Sequence, residues 1–513
     1  MSNFQRAMTR KPSKNAFNLS RERKQTMNMA NLVPFYVEEV LPGDSFKVKS
    51  EVLMRLSPLV SPVMHRVNVT THFFYCPNRI LWDNWQDFIT GGEDGLANPT
   101  FPTITMPAGT TYYQKKSLAD YLGLPMGTVV AGEEVSVNAL PFRAYQKIYN
   151  EYYRDQNLQD KILEYSSDGA LGANNAQCGM RTRNWEKDYF TSCLPFAQKG
   201  DPVSAPIGLS YDTNPIGTDG LGNPLALGTT LDIGADGAAI TSPSGSAFVL
   251  ENIDPDATGI NIEDLRTAVR LQEWLEKNAR SGSRYIESIM SHFGERVPDY
   301  TAQRPVFLGG GKQPVTISEV LQTGQTTVDG GDPHTNFEPS PQGNMAGHGI
   351  SVGSTNGFKA KFTEHGFIIG IMSVMPRTAY QNGEDRFWSK RNKFDYYWPE
   401  FAQLGEQEVL NKEVFYDFSG VNDNEGTFGY QSRYAEYKFG NSKVCGDFRD
   451  QLAFWHLGRI FDTPPALNAE FVQSNPREDI FAIEDETEDH LYVQVYNSVK
   501  AIRPIPLHNV PTL

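Results

Sequence analysis

What most constrains this chain is a strict two-residue alternation near its start. From Gly43 onward, Phe46, Val48, Val52, Met54 and Leu56 are apolar, while Lys47, Lys49, Glu51 and Arg55 stand between them. A strand turns successive side chains to opposite faces, so this run predicts a half-buried strand with one wet face. Pro42-Gly43-Asp44 before it and Ser57-Pro58 after it supply the stops. His65 to Cys76 alternates again, with Val67, Val69, Phe73 and Tyr75 facing one way and Arg66, Asn68, Thr70 and His72 the other. Leu491, Val493 and Val495 alternate with Tyr492, Gln494 and Tyr496 in a final strand ahead of a proline-rich tail. Lys359 to Met375 reads as one further long strand, continuously apolar in its second half as a doubly covered strand would be. Strands near both ends with long material between them suggest a sandwich whose first and last strands are sheet neighbours, the Greek-key logic of a jelly roll. The expected fold is all-β with long insertions.

Composition agrees: 23 Tyr, 30 Phe and 7 Trp beside 44 Gly and 32 Pro suit strands joined by irregular loops better than a helical bundle. The insertions differ in character. Residues 139–164 form a Tyr-rich helical stretch, and residues 262–280 the best helix of the chain. Asn261 and Asp264 have N-terminal capping spacing, Glu273 and Lys277 an i,i+4 pair, and Ile262, Leu265, Val269 and Leu275 an expected buried stripe. Residues 199–248 carry glycines every few positions and few bulky side chains, which predicts a loop-rich surface excursion rather than a core. Residues 324–357 read as a second loop insertion.

Net charge is −15, but residues 1–24 hold seven basic side chains against one acid, Glu22, for +6, so the remainder carries −21. The basic residues are Arg6, Arg10, Lys11, Lys14, Arg21, Arg23 and Lys24. A basic N-terminal arm over residues 1–30 on an acidic body, residues 31–513, is either a polyanion-binding arm or a solvated terminus. Cys76, Cys178, Cys193 and Cys445 are widely spaced and suggest free thiols, not a zinc site or a disulfide framework. The N-terminus has no apolar secretory core, and the longest apolar stretch, Gly366 to Met375, is too short to span a bilayer as a helix. Membrane insertion is not expected.

Motifs for chemistry are weak. Gly349-Ile350-Ser351-Val352-Gly353 matches GxSxG, but that chemistry needs a strand before the serine and a helix after it, and a Gly-rich loop is expected here. Gly309-Gly310-Gly311-Lys312 lacks the Ser/Thr and the helix of a phosphate loop and reads as a turn. His65, His72 and His365 are expected to be hydrogen-bonded structural residues, and the acids from Glu484 to Asp489 a solvated loop rather than a calcium site. The aromatic groups Tyr145, Tyr149, Tyr152, Tyr153 and Phe394, Tyr396, Tyr397, Trp398 suit core or subunit contacts better than base stacking. No catalytic residue, metal site or cofactor is expected.

Several segments, in order along nearly the whole chain, carry a resemblance. They are Phe17-Asn18-Leu19-Ser20, the run from Glu39 to Phe46 leading into Arg55 to Leu59, and Pro62 to Val69 continuing to Arg79, Trp82 and Trp85. Asn184 to Phe190, Ser291 to Gly294, Gly343 to Gly349 and Trp455 to Arg459 complete the set. Together they resemble the major capsid protein of the Microviridae, most closely its gokushovirus-like branch. The resemblance implies an eight-stranded viral jelly-roll β-sandwich, assembled as a 60-copy T=1 icosahedral shell around circular single-stranded DNA. It implies a virion location after assembly in the bacterial host cytoplasm. It also implies an insertion at the three-fold axes that meets a host-cell surface receptor, with residues 199–248 the candidate by position. Arg6, Arg10, Lys11, Lys14, Arg21, Arg23 and Lys24 are then expected to contact DNA, or internal scaffolding or DNA-binding phage proteins. The alternative classes are a β-sandwich polysaccharide-degrading enzyme and a glycan-binding module. Self-assembly separates them from a shell subunit.

Overall fold

The computed structural model describes residues 13–107, 114–127, 134–172, 175–201, 203, 232–233, 240–241, 262–281, 285–296, 298–299, 301, 303–321, 345–483, 485 and 487–507. Ten strands build its main sandwich. They are β1 (Asn15–Asn18), β2 (Arg21–Met27), β3 (Val33–Val40), β4 (Ser45–Leu56) and β5 (Val67–Pro77) from the N-terminal part. From the rest come β6 (Val306–Pro314), β7 (Thr316–Leu321), β8 (Met345–Lys361), β9 (Gly366–Pro376) and β10 (Leu491–Arg503).

One sheet of six strands runs β1-β10-β4-β8-β7, with β2 also paired to β10, and a four-stranded sheet runs β6-β5-β9-β3. The first and last strands are neighbours, since β10 lies antiparallel between β4 and the β1–β2 edge. The fold is an all-β jelly roll with insertions. Among the described residues its two main sheets hold ten segments rather than eight: one edge row is interrupted at Leu19-Ser20, and the short β7 borders the other side.

The alternation in β4 is fully expressed, with Phe46, Val48, Val52 and Met54 buried and Lys47, Lys49, Glu51 and Arg55 exposed. The buried set meets Val67, Val69, Phe73, Ile368, Met372, Val374, Val493 and Val495 in one core between the sheets. Side chains of this kind contribute about 1.5–3 kcal/mol each when fully buried. β5 departs from the half-wet expectation, because Asn68 and Thr70 are buried too. The reason is a layer on its far face: helix α1 (Leu140–Ile148) and its neighbours pack Leu140, Phe142, Tyr145 and Ile148 against Phe74, Cys76, Ile369 and Ile371. Being covered on both sides, β9 is buried at every position.

Several sequence expectations change in extent. The run from Lys359 to Met375 is not one strand: it breaks over residues 362–365, sending β8 and β9 into different sheets. Helical structure in residues 139–164 ends with a π-helical turn, Tyr149–Tyr153. The glycine run at 309–311 is part of strand β6, not a turn, since Gly310 pairs with His72 and Gly311 with Thr71. A Cβ on Gly310 would stand 2.2 Å from the Thr71 carbonyl oxygen, so this close approach demands glycine. Of the loop expected at 324–357, residues 345–357 lie in β8, and residues 322–344 lie outside the described residues.

The chain divides into two compact units, one formed by residues 1–197 and 282–513 and the other by Gln198–Ser281. The second unit contains the expected excursion, most of which lies outside the described residues. Within it, Asp232–Ile233 pairs antiparallel with Ile240–Thr241. Helix α2 (Ile262–Ser281) forms where the apolar spacing predicts it. Of its expected buried stripe, however, Leu265 and Val269 are exposed and Leu275 is half-buried. Glu273 pairs with Arg270 at 2.5 Å, and Asn261 lies outside the described residues. Among the described residues no helix is long and apolar enough to cross a membrane.

Candidate nucleic-acid interface

The expected DNA-binding arm is, from Asn15 onward, part of the sheet. Arg6, Arg10 and Lys11 lie outside the described residues. Lys14 is exposed and its Nζ donates to the Gly43 carbonyl at 2.5 Å. Arg21 is held by Glu38 at 2.7 Å and donates to the Val37 carbonyl. Arg23 is half-buried and donates to the Tyr121 carbonyl at 2.6 Å; burial pulls its pKa down, opposed by nearby Asp120. Lys24 alone of the β2 cations points to the wet face of the six-stranded sheet, opposite Gln494 of β10. The strand period explains the split: Arg21 and Arg23 share one parity, Lys24 the other.

The wet face itself is more basic than the arm residues that reach it. On β4 it carries Lys47, Lys49 and Arg55, on β8 Lys359 and Lys361, and on β10 Lys500, all exposed. Pairing aligns Lys500 with Lys47 and Lys47 with Lys359, so three lysines of three adjacent strands form one row. With Lys24 the face bears seven cations against two carboxylates, Glu22 and Glu51, on a chain whose net charge is −15. Lys49 and Glu51 are 4.0 Å apart. Among the described residues Lys24, Lys47, Arg55, Lys359, Lys361 and Lys500 have no carboxylate within ion-pair distance. Tyr492 and Tyr496 are the exposed aromatics of this face, two residues apart on β10. At its end a cleft of about 900 Å³ is lined by Arg23, Lys24, Arg55, Lys116, Asp489 and Tyr492. There Asp489 holds Lys116 at 3.0 Å and accepts from Thr26 at 2.5 Å. Such a surface can attract and neutralise a polyanion.

The remaining sequence candidates have structural surroundings. Ser351 is buried in β8, donates to the Pro314 carbonyl at 2.8 Å and accepts from Gln313 at 2.9 Å, so GxSxG is neither a loop nor an elbow. Lys312 pairs with Glu186. His65 bonds the Arg377 carbonyl at 2.5 Å, His72 shares a 2.8 Å hydrogen bond with the Tyr153 hydroxyl, and His365 sits edge-on to Trp85. Tyr145 and Tyr149 are core residues, whereas Phe394, Tyr396, Tyr397 and Trp398 are exposed. Cys76, Cys178 and Cys193 are buried free thiols; Cys445 is free and exposed.

Comparison with known proteins decides the class. Residues 2–513 match the model of the capsid protein (F protein) family. The chain belongs to this capsid family. The capsid protein VP1 of Chlamydia phage 1 is 37% identical over 98% of this chain and 96% of its own length. That of Bdellovibrio phage phiMH2K is 35% identical over 97% and 95%, and that of Spiroplasma virus 4 is 32% identical over 95% and 93%. The subunit is therefore a structural protein of the virion and not an enzyme, and the resemblance to Microviridae capsid proteins holds along the whole chain. Sequence reasoning missed the capsid subunit's lysine row. Each lysine stood in plain alternation, but only strand register brings Lys47, Lys359 and Lys500 together.

Proposed function

We propose that this protein is the major capsid protein of a bacteriophage, and that sixty copies close into a T=1 icosahedral shell around circular single-stranded DNA. The observation that carries the reading is a family match from residue 2 to residue 513, with relatives aligned over nearly their whole length. The surface supports self-contact. Trp388 is 69% and Phe418 91% exposed, with Phe387, Tyr396 and Tyr397 also exposed, side chains of the kind that subunit contacts bury. The basic inner partner of the genome is the N-terminal segment through Lys24, with internal scaffolding or DNA-binding phage proteins as further partners. Residues 199–248, within the Gln198–Ser281 unit, form the surface protrusion that meets a host-cell receptor, a reading supported by their loop-rich sequence.

Purified protein should form uniform shells in negative-stain images, with a light-scattering mass of sixty subunits. A stable monomer at micromolar concentration would sink the reading. Replacing the Gln198–Ser281 unit by a short linker should leave shell formation intact while abolishing phage adsorption to its host.

A further inference from the structure

We infer that the wet face of the six-stranded sheet binds a single-stranded polynucleotide, its phosphates on the lysine rows and its bases against Tyr492 and Tyr496. The shell reading above supplies only the identity of that strand as the packaged DNA. The binding chemistry stands on the face itself.

Like charges placed directly opposite one another on neighbouring strands weaken a sheet. Lys500, Lys47 and Lys359 do so across three strands, and Lys49 and Lys361 extend the cluster two residues to either side. A face shaped for stability alone would intersperse carboxylates, yet the two present, Glu22 and Glu51, both stand opposite Tyr496 rather than beside the row. A bound polyanion removes the repulsion and releases its own counterions. The arrangement also favours one kind of polyanion. Eight residues along β10 from Lys500, roughly 27 Å at strand rise, Tyr492 lies opposite Arg55 on one side and Thr26 on the other. Tyr496 stands between the two cationic ends. Cations at both ends, with one exposed ring beside Arg55 and another midway, suit a strand whose bases are unpaired, since a duplex hides its base faces.

The test uses full-length protein, taken from the unassembled fraction of a sizing column, with fluorescent dT40 as the probe. For Lys47→Gln/Lys359→Gln/Lys500→Gln, the slope of log affinity against log salt should fall in magnitude by about 2, near 0.7 per lost contact for a single strand. Lys161→Gln/Lys393→Gln/Lys438→Gln, three exposed lysines outside this sheet, should leave the slope unchanged. Melting temperature checks the fold, and the face variant should melt no lower than the parent because repulsion is relieved. Tyr492→Leu/Tyr496→Leu should weaken dT40 by about tenfold or more while leaving inorganic polyphosphate binding unaltered. An unchanged slope in the face variant, an inert tyrosine pair, or tighter binding of a duplex than of dT40 would each overturn the assignment. Binding of dT40 at least as tight as that of U40 supports DNA as the occupant; tighter U40 overturns it. Shells that form normally with an unchanged slope reject this face alone, whereas intact dT40 binding without shells rejects the shell reading alone.

Discussion

His72 shows how a single side chain carries a pH response. Its ring lies against Phe74, Tyr153 and Phe307, and burial, with a smaller push from the Arg183 guanidinium, lowers its pKa to about 4. A base whose folded pKa lies below its unfolded value near 6.5 favours folding above 6.5 and loses that contribution as pH falls toward 4. His65, lowered by its own burial, acts in the same direction. Asp155 and Glu164, both lowered through Lys187 and Lys147 against the cost of burial, release their share only at more acidic pH. The melting temperature should therefore drop between pH 6.5 and 4.5. In His72→Gln that drop should be visibly shallower, as scanning fluorimetry at half-unit steps would show. An identical pH profile in the variant would mean that His72 titrates normally in the fold.

Among the elements, β2 matters most to how the N-terminus is understood. Its pairing with β10 from Met27–Leu491 to Arg21–Asn497 makes it a structural edge, and Met27 is completely buried in the sandwich core. Removing residues 1–12 keeps every described pairing of β1 and β2 with β10, so the melting temperature should hold. Removing residues 1–27 strips the outer partners from β10 and deletes a buried methionine, a loss of about 2–5 kcal/mol from the core alone. It also bares the strand edge that other chains can pair with. Dynamic light scattering should find the first truncation well behaved and the second aggregated. An arm deletion meant to probe DNA contact must therefore stop before β1.

For the whole molecule, the exposed aromatics are the counterpart of closure into a shell. Buried aromatic anchors dominate the energetics of stable interfaces, and charge at such positions is strongly unfavourable once desolvated. Trp388→Asp combined with Phe418→Asp should abolish shells in negative-stain images while shifting the subunit's melting temperature by no more than a few degrees. Shells of normal yield from this variant would place the subunit contacts elsewhere. These exposed aromatics lie in the segment between β9 and β10, outside the two sheets of the sandwich.

The two-residue period sufficed to define β4, β5 and β10 and which faces of β4 and β10 are wet, because alternation is local and each strand records its own; the adjacency of the first and last strands followed from jelly-roll topology. The ordered family motifs sufficed for the class. Tertiary structure alone decided that β5 is covered on both faces, since the covering helix α1 lies more than sixty residues away in the chain. It decided that 309–311 and 345–357 lie in strands, where Gly310, Gly347 and Gly357 answer to a neighbouring backbone and Gly349 and Gly353 to the side chains of Leu56 and Gln313. It decided that Arg21 and Arg23 are held by Glu38 and by the Val37 and Tyr121 carbonyls while Lys24 lies on the wet face of the sheet. And it gathered Lys47, Lys359 and Lys500, hundreds of residues apart, into one row, because register is a property of pairs of strands and no single strand contains it.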